Sequence, residues 1–513
     1  MKRFISLMMT VLVFLCVFTA CSDNEEPNTD NTEETTTPID ETVQQGTVIE
    51  KKTGLVLPYA EGDSLNPYKA ETLMNENICH LIYEGLYKLD ESYSPIEILG
   101  HEGEIQGTYV SVDIKDEAQF SDGSKVSASD VAYSFNLAKD CEYYSELLSG
   151  FSSVTVMDNN TVKFALSNSD PYALSCLTFP IVKYGTGEDN LPVGTGRYTY
   201  SSRKLKYNKN HITQETPSIK TIELYDIKDN SKSSNALQIG NISFIYRDLS
   251  DCGTERLTAI TRRVDLNNIV FLGMNGSSGK LLSDSNLRKI IGEVINKQDI
   301  TENAFQGYAT VADTPFNPNW YGLKDAEIKS KTYSALELTQ LLEENGYTYA
   351  NDTDTVRSKK GKKLEFTILV NKNNQFKVQT AKLIQTSLKS IGISAEIEEV
   401  SGKELKSAIR KGKFDLYIGE IKLCENMSLS EFFSTSGSGR YGINKKISCI
   451  SEYNSMLTGE GDISKFIKSF NEDMPFVPLC YRQGFAAAAN ELKDNIKVNS
   501  FDIYDNIYEW SFK

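Results

Sequence analysis

The feature that most constrains the fold is the segment 364–419, in which patterns typical of strands and of helices alternate. Leu364–Val370 has the β-branched and aromatic content of a buried strand. Ile393–Val400 alternates apolar and polar residues, and Phe414–Gly419 predicts a third strand. Between the first two strands, apolar residues recur at spacings of three and four and predict a helix: Val378, Ala381, Ile384, Leu388 and Ile391.

Local signals set the ends of these helices. Gly392 can adopt the left-handed conformation that closes the first helix. Ser401 and Glu404 have the spacing of a capping box, which predicts a short second helix ending at Gly412. The segment therefore predicts a β-α-β-α-β unit, the building block of an α/β sheet covered by helices. In open sheets of this kind ligands bind at the carboxyl ends of the strands.

The first half of the sequence predicts shorter elements of mixed α+β type. Thr108–Ile114 and Asn160–Leu166 alternate in the manner of half-buried strands. An Asp122-Gly123 turn precedes Ser127, whose hydroxyl can cap a helix that carries Asp130 in its first turn. In the second half, two more helices are predicted near 287–295 and 334–342, each with an apolar face that packs on a core.

The N-terminus has the pattern of a lipoprotein signal peptide. Lys2 and Arg3 precede the apolar run Phe4–Phe18, and the small residue Ala20 stands before Cys21. The alternative is a single membrane-spanning anchor, but the run is short for a bilayer and no basic cluster follows it. We expect a signal peptide at 1–20, lipidation of Cys21, and a disordered acidic tether that continues to residue 53.

The remaining chain is long enough for at least two lobes. The formal net charge of −16 argues against a nucleic-acid partner, because phosphate contacts need clustered Lys and Arg. The basic run Ser358–Lys363 lies between a predicted helix and a predicted strand, which favours an exposed hairpin over a phosphate site.

No motif for catalysis, metal binding or a cofactor is recognisable. Seven cysteines remain after Cys16 and Cys21 are set aside, and none forms a CxxC pair. The three histidines are scattered without an HExxH motif. Asn275–Leu281 ends like a phosphate loop but lacks its first glycine and its hydroxyl residue. We therefore predict no catalytic residue, no metal site and no cofactor.

Several segments, in order, resemble extracellular solute-binding proteins of family 5, which serve peptide and nickel importers. The resemblance extends from about Leu55 to the C-terminus. It opens with Ser64–Tyr68 (SLNPY) and Tyr83–Leu86 (YEGL). The most specific motif places Phe120, Asp122, Gly123, Ala128, Asp130 and Val131 on the family's signature.

Later landmarks follow in the family's order. Leu191–Tyr198 resembles a glycine-threonine-glycine turn, although Arg197 stands where the family usually has proline. Phe271–Asn275, Leu287–Ile300 and the proline-rich crossing Ala312–Gly322 complete the series.

The resemblance implies an α/β, periplasmic-binding-protein-like fold with two lobes, an extra subdomain and two crossing strands that act as hinge. We expect lobe I at 54–268, with the extra subdomain at about 75–190. Lobe II is expected at 269–480, and a C-terminal return to lobe I at 481–513. The hinge would fall near 269–275 and 475–482.

The implied function is capture of a small solute, an oligopeptide or dipeptide, by hinge closure and its delivery to an ABC permease. The protein would be a monomer on the cell surface, lipid-anchored to the outer face of the cytoplasmic membrane, or on the periplasmic side in a two-membrane cell. It would not be an enzyme. Two alternatives stay open: a ligand-sensing lipoprotein that signals to a membrane partner, and a secreted hydrolase.

The sequence departs from the family where peptide binders place a tryptophan and then an aspartate for the peptide's amino terminus. Glu420 stands at the tryptophan position, and Leu423 stands near the aspartate position. Glu420 or Glu425 can replace the missing anchor, or either can be a solvated acid at a strand end. We include Glu420 among the predicted ligand contacts.

The other ligand contacts implied by the resemblance supply aromatic walls and polar donors: Asn66, Tyr68, Asn275, Trp320, Tyr321, Arg440 and Tyr441. Trp320 can equally be a buried plug beneath the proline-rich crossing. Arg440 can meet a ligand carboxylate or pair with surface acids.

Overall fold

The computed structural model describes residues 54–254, 257–328 and 332–513, so the predicted signal peptide, Cys21 and the tether lie outside the described residues. Most strands are short, but two contain 15 and 13 residues. The strands are β1 (Leu55–Tyr59), β2 (Tyr87–Leu89), β3 (Pro95–Glu97), β4 (Gly100–Gln106), β5 (Tyr109–Ile114), β6 (Phe151–Val156), β7 (Thr161–Leu166), β8 (Tyr198–Ser201), β9 (Lys204–Tyr207), β10 (Thr221–Asp226), β11 (Phe244–Arg247), β12 (Ile260–Met274), β13 (Ala309–Val311), β14 (Ser358–Lys359), β15 (Lys362–Lys363), β16 (Glu365–Asn371), β17 (Ser394–Val400), β18 (Leu416–Lys422) and β19 (Phe476–Ala488).

The helices lie between these strands and on their faces. They are α1 (Leu73–Ile82), α2 (Ala128–Asp140), α3 (Glu142–Leu147), α4 (Ser233–Gln238), α5 (Ser285–Val294), α6 (Lys297–Asp299), α7 (Ala335–Glu344), α8 (Gln375–Lys389), α9 (Gly402–Arg410), α10 (Ser430–Phe433), α11 (Ser448–Leu457) and α12 (Ile463–Asp473).

The long strands β12 and β19 pair antiparallel and connect two hydrophobic cores. Val264 of β12 and Ala486 of β19 pack into the core that contains β1 and β10. Ile269 and Tyr481, further along the same two strands, pack into the core of the other lobe. The pairing register shifts between Asp265 and Ile269, where the strands pass from one core to the other. The two predicted crossing strands are confirmed.

The larger sheet has the order β11-β19-β12-β18-β16-β17 and contains the predicted β-α-β-α-β unit. Strand β16 pairs in parallel with both β17 and β18, and helices α8 and α9 make the connections. Strand β18 continues to Lys422, three residues beyond its predicted end at Gly419. Its neighbour on the other side is the crossing strand β12.

The predicted caps are present. Ser401 and Glu404 form a complete capping box at α9, and Ser334 and Glu337 form one at α7. Gly392 lies at φ +80° after α8, a backbone conformation that few other residues adopt without strain. Each of these caps depends on residues that are only a few positions apart in the chain. The sequence alone was therefore sufficient to predict them.

A third hydrophobic core lies within the predicted extra subdomain. Its sheet has the order β4-β5-β7-β6, and helix α2 packs on it through Val131 and Phe135. Ser127 and Asp130 form the capping box of α2, and the second oxygen of Asp130 accepts a hydrogen bond of 2.7 Å from the Tyr184 amide.

The sheet of the first lobe has the order β1-β10-β9-β8, with β1 and β10 parallel. Residues near the C-terminus, including Leu492, Ile503 and Trp510, belong to the same core. The predicted lobe boundaries at 268 and 480 lie inside β12 and β19, because each crossing strand contributes to both lobes.

The basic run forms the predicted hairpin, in which β14 pairs with β15. The seven cysteines of the described residues are free thiols, and four of them are buried: Cys79, Cys176, Cys449 and Cys480. Burial raises the pKa of each of these four thiols. Among the described residues, no helix has the length and apolar content needed to cross a bilayer.

Candidate ligand-binding cleft

A cavity of about 310 Å³ opens where both lobes and the extra subdomain meet. Helix α1 presents one face to it, since Leu73, Glu76, Asn77 and His80 follow the three-and-four spacing of a helix. Residues 83–85 and 87–89 continue this wall, and α3 adds residues 143, 144, 146 and 147. The crossing strand β12 contributes residues 266–268, the second lobe contributes residues 422–425 at the end of β18, and residues 500–502 close the cavity near the C-terminus.

Three carboxylates and one lysine on this lining form a group that we call the acid pole: Glu76, Glu146, Glu425 and Lys422. The acids come from α1, α3 and the segment after β18, and their electrostatic interactions with Lys422 link them. Enclosure in the cleft raises the pKa of each carboxyl group, and Lys422 only partly opposes this effect.

Lys422 is held by an aromatic ring as well as by the acids. Its Nζ lies 5.5 Å from the centroid of the Tyr143 ring. The Tyr143 hydroxyl and then Glu425 raise the pKa of Lys422 against the opposing effect of desolvation, so the lysine stays charged. Tyr143 is 48% exposed and offers part of its ring to the cleft.

Two basic side chains on the lining form a group that we call the basic pole: Lys88 and Arg197. Lys88 forms an ion pair of 2.9 Å with Asp505. Arg197 donates a hydrogen bond of 2.7 Å to the Asp505 carbonyl, and its guanidinium group lies 5.3 Å from the Tyr508 ring centroid. These contacts hold the Arg197 guanidinium in a defined orientation.

Two more carboxylates on the lining, Asp248 and Asp502, accept hydrogen bonds from backbone amides. Glu84 is also on the lining and lies 2.8 Å from His211. The cavity therefore carries more acidic than basic side chains, and the excess is largest at the acid pole.

Aromatic rings form the remaining walls. Tyr143 and Tyr144 contact each other edge to face, with centroids 4.8 Å apart. Phe501 packs edge to face on the buried Tyr93 at 4.8 Å. Such rings supply apolar surface on the lining of the cavity.

Asn267 holds the strand end that carries the acid pole. It is 3% exposed, and its Nδ2 donates to the carbonyls of Leu423 at 2.9 Å and Cys424 at 3.1 Å. Asn317 donates to Asn267 Oδ1 at 3.3 Å and to the Tyr93 hydroxyl at 2.7 Å. No sequence pattern marked Asn267, because its partners are 156 and 157 residues away.

The chain after β18 also contacts the extra subdomain directly. Asn426 Nδ2 donates a hydrogen bond of 2.6 Å to Asp170, and the Cys424 thiol lies 3.6 Å from the Glu146 carbonyl. These contacts join the second lobe to the extra subdomain, and Cys424 and Glu146 also line the cavity.

The profile of the family described as bacterial extracellular solute-binding proteins, family 5 (middle), matches residues 101–438. The chain belongs to this family. The match covers more than half of the chain, and the two-lobe architecture with crossing strands agrees with it.

Individual relatives are distant. The oligopeptide-binding protein AppA of Bacillus subtilis is 25% identical over 439 residues, which cover 80% of this chain and 78% of AppA. The glutathione-binding protein GsiB of Salmonella typhi is 23% identical over 381 residues, covering 67% of this chain and 70% of GsiB.

Solved structures match in fold. AppA in complex with a nonapeptide superposes with a TM-score of 0.57 and 22% identity, covering 90% of this chain and 99% of AppA. A nickel ABC transporter structure from Bacillus halodurans gives 0.71 at 20% identity, covering 87% of this chain and 97% of that one.

Within this family 5 protein, Glu420 lies in a buried ion network and not on the cavity lining. Its carboxylate lies 2.7 Å from Lys377 Nζ and 2.7 Å from the Arg482 guanidinium, and Asn268 donates to it at 2.9 Å. Burial alone would raise the pKa of Glu420, but the two cations outweigh burial and lower it to about 2. The cation that we expected from a ligand is supplied here by the chain itself.

The structure places Asn66 and Tyr68 in the first lobe, where they hold loops together. Asn66 is fully buried, and its Nδ2 donates to the carbonyls of Gly187 at 2.8 Å and Asp189 at 2.7 Å. The Tyr68 hydroxyl donates to the Pro180 carbonyl.

Asn275 and Arg440 also make internal contacts. Asn275 donates to the Phe414 carbonyl at 2.8 Å and is 2% exposed. The Arg440 guanidinium lies 4.2 Å from the Tyr441 ring centroid and donates to the Ser436 carbonyl at 3.1 Å.

Trp320 and Tyr321 line a separate groove beside the proline-rich crossing. Trp320 is 2% exposed and contacts the rings of Tyr172 at 4.6 Å and Phe316 at 4.9 Å, which is the arrangement of a buried plug. The eight predicted contacts are all among the described residues, and none of them lines the 310 Å³ cavity. Their contact with a ligand stays a prediction.

Glu425, the alternative candidate for the ammonium anchor, does line the cavity. Arg197, which stands where the family usually has proline, also lines it. Sequence reasoning missed Glu76 and Glu146. A sequence signal for Glu76 was available, because one face of the helix combines apolar and polar residues: Leu73, Glu76, Asn77 and His80. A helix face that only packs on a core is uniformly apolar. Among the described residues, no group of three potential metal-ligating side chains is present.

Proposed function

We propose that the protein is the solute-binding lipoprotein of an ABC importer, that it captures a short peptide by hinge closure, and that it delivers this peptide to a membrane permease. The observation that carries the proposal is the charge separation in the cleft. The acid pole and the basic pole line the same cavity, and the aromatic rings of Tyr143, Tyr144 and Phe501 line it as well.

A peptide with free termini is a zwitterion of matching polarity. Its α-ammonium group would bind at the acid pole, where Glu425 takes the role of the displaced anchor. Its carboxylate would accept hydrogen bonds from Arg197, whose planar guanidinium suits a carboxylate. Because Asp505 and Tyr508 already orient Arg197, little side-chain entropy would be lost on binding.

The cavity volume favours a short peptide. At 310 Å³ it is near the lower end of the range of about 300 to 1,000 Å³ that is usual for small-molecule sites. The B. subtilis AppA structure holds a nonapeptide, and a ligand of that length needs more space than this cleft encloses. A dipeptide or tripeptide fits the volume.

The division of the lining between the lobes supports capture by closure. Glu76 belongs to the first lobe, and Lys422 with Glu425 belongs to the second, so a bound cation would contact both. A ligand that bridges both lobes makes more contacts in the closed arrangement than in an open one, and it therefore stabilises the closed arrangement. A permease could then distinguish loaded from empty protein by shape. We propose binding and delivery, without catalysis.

The N-terminal sequence supports the lipoprotein part of the proposal. Lys2, Arg3, the apolar run Phe4–Phe18 and Cys21 follow the order of a lipoprotein signal. A diacylglycerol on Cys21 would supply two acyl chains. Two acyl chains keep a protein attached to a membrane for a much longer time than a single chain does. The protein would then remain at the membrane surface beside its permease.

The test is calorimetry of the purified protein with trialanine, N-acetyl-trialanine and trialanine amide. The proposal predicts that trialanine binds and that blocking either terminus weakens binding by at least tenfold. Native mass spectrometry of protein purified without denaturation would weigh any ligand retained from the cell. Absence of binding by every peptide, or retention of a nickel complex alone, would overturn the peptide assignment.

A further inference from the structure

The acid pole has more negative charge than the amino terminus of a peptide can neutralise. Three carboxylates on the cavity lining, Glu76, Glu146 and Glu425, each interact electrostatically with one cation, Lys422. Within the described residues, none of these three carboxylates forms an ion pair within 4.0 Å. Lys422 offsets one negative charge, an α-ammonium group would offset a second, and the third would remain.

Glu420, a carboxylate with a structural role, provides a comparison for the three carboxylates of the acid pole. Two cations lie at 2.7 Å from Glu420, and they lower its pKa to about 2. The acid-pole carboxyl groups lack such partners, and their pKa values are raised. Glu76 and Glu425 are partly buried and Glu146 is exposed, so a cationic ligand bound beside them would offset the repulsion between their like charges.

The other charged groups on the lining do not remove the excess. Glu84 is paired with His211, and Lys88 is paired with Asp505. Arg197 is the remaining cation of the basic pole, and it would be engaged by the carboxyl end of the peptide.

The wall next to the acid pole also suits a long basic side chain. Tyr143 is 48% exposed and packs edge to face with Tyr144, so its ring provides apolar surface beside the carboxylates. Lysine and arginine bury their methylene stems against such rings while the charged end reaches a polar partner.

We propose that the preferred ligand is a short peptide with a basic side chain at its amino-terminal residue, so that two positive charges enter the acid pole. The inference rests on the proposed function of this cleft in peptide binding. It names the substrate class: a dipeptide or tripeptide that begins with lysine, arginine or a similar basic residue.

A pair of peptides of nearly equal shape tests the charge without any change to the protein. Lys-Ala-Ala is compared by calorimetry with norleucine-Ala-Ala, which has a neutral side chain of similar length, at constant ionic strength. We expect Lys-Ala-Ala to bind at least tenfold more tightly. Raising the salt concentration should reduce this ratio, because exposed parts of the site are screened.

Variants then locate the effect. Glu76→Gln and Glu146→Gln should each lower the ratio of the two affinities, whereas Glu398→Gln, at an exposed acid on β17, should leave it unchanged. The Lys-Ala-Ala to norleucine-Ala-Ala comparison on the unmodified protein decides the matter even if a cleft variant fails to fold.

The outcomes separate the inference from the proposed function. If both peptides bind with equal affinity, the cleft is a peptide site but the inference is wrong. If neither peptide binds, the proposed function is wrong and the inference falls with it. If Ni²⁺ with histidine binds and the peptides do not, a metal complex supplies the positive charge, which also overturns both.

Discussion

The Glu420 carboxylate and the Arg482 guanidinium lie 2.7 Å apart, and only 12% and 7% of the two side chains are exposed. Lys377 of α8 completes the network from the other carboxylate oxygen, with 15% of its side chain exposed. Arg482 also donates to the Asp248 carbonyl, next to the cleft. Glu420 therefore joins β18 to β19 and α8, close to where the strands cross between the lobes.

Glu420→Gln should destabilise the protein by about 3 to 5 kcal/mol, because it leaves two buried cations without their counter-charge. The pKa of Glu420 is lowered from 4.5 to about 2, so the stability that it contributes is present above about pH 4.5. That contribution is lost as the pH falls toward 2. Denaturant unfolding of both proteins across this pH range measures the difference.

The matched control is Glu398→Gln, at an exposed acid of the neighbouring strand β17, which should change stability by less than about 0.5 kcal/mol. An equal stability of the Glu420→Gln protein and the unmodified protein at pH 7 would show that the network contributes nothing to folding.

Arg197→Gln should weaken binding of a peptide with a free carboxylate by about tenfold to a hundredfold, because a charged hydrogen bond is lost. The same peptide with an amidated C-terminus should bind both proteins alike. Calorimetry with the two peptides measures this difference.

Arg203→Gln, which alters an arginine on the surface, is the control. An equal loss for both peptides would mean that Arg197 supports the fold and does not read the carboxylate.

Asn426→Ala should weaken ligand binding by about two- to tenfold, because it removes the hydrogen bond to Asp170 that joins the second lobe to the extra subdomain. The closed form then costs more to reach, so the apparent dissociation constant rises. X-ray scattering during a ligand titration should show that the compact form of the variant appears at a higher ligand concentration than that of the unmodified protein.

Asn373→Ala, at an exposed loop position, should behave like the unmodified protein. A radius of gyration unchanged by saturating ligand would argue against hinge closure.

Cys21→Ser should release the protein from the membrane without loss of its fold, because it removes the thiol that we propose carries the lipid. Fractionation of cells, followed by thermal unfolding of the released protein, checks both parts. If the variant remains in the membrane fraction after signal cleavage, the lipoprotein assignment is wrong.

Local patterns in the sequence were sufficient for much of the scaffold. The α9 capping box, the left-handed Gly392 and the hairpin of Ser358–Lys363 were predictable, since each depends on residues a few positions apart. The order of motifs from Ser64 to Gly322 likewise identified the family, and with it the two lobes and the crossing strands.

The site was less accessible to this reasoning. Glu420 and Glu425 are both acids near the end of one strand, yet one is buried against Lys377 and Arg482 and the other lines the cleft. Sequence alone does not show which cations reach which acid, because Lys377 and Arg482 are far from Glu420 along the chain.

The sequence by itself determined the class of fold, the family and the helix ends, because hydrophobic periodicity and caps act over short distances. Only the tertiary structure decided which carboxylates are neutralised within the chain and which line the cleft. Glu76, Glu146 and Glu425 come from three separate segments, and their charges add only where folding brings those segments to one cavity. Electrostatic energy depends on distance in space and on exposure to water, and neither quantity is written in the order of residues.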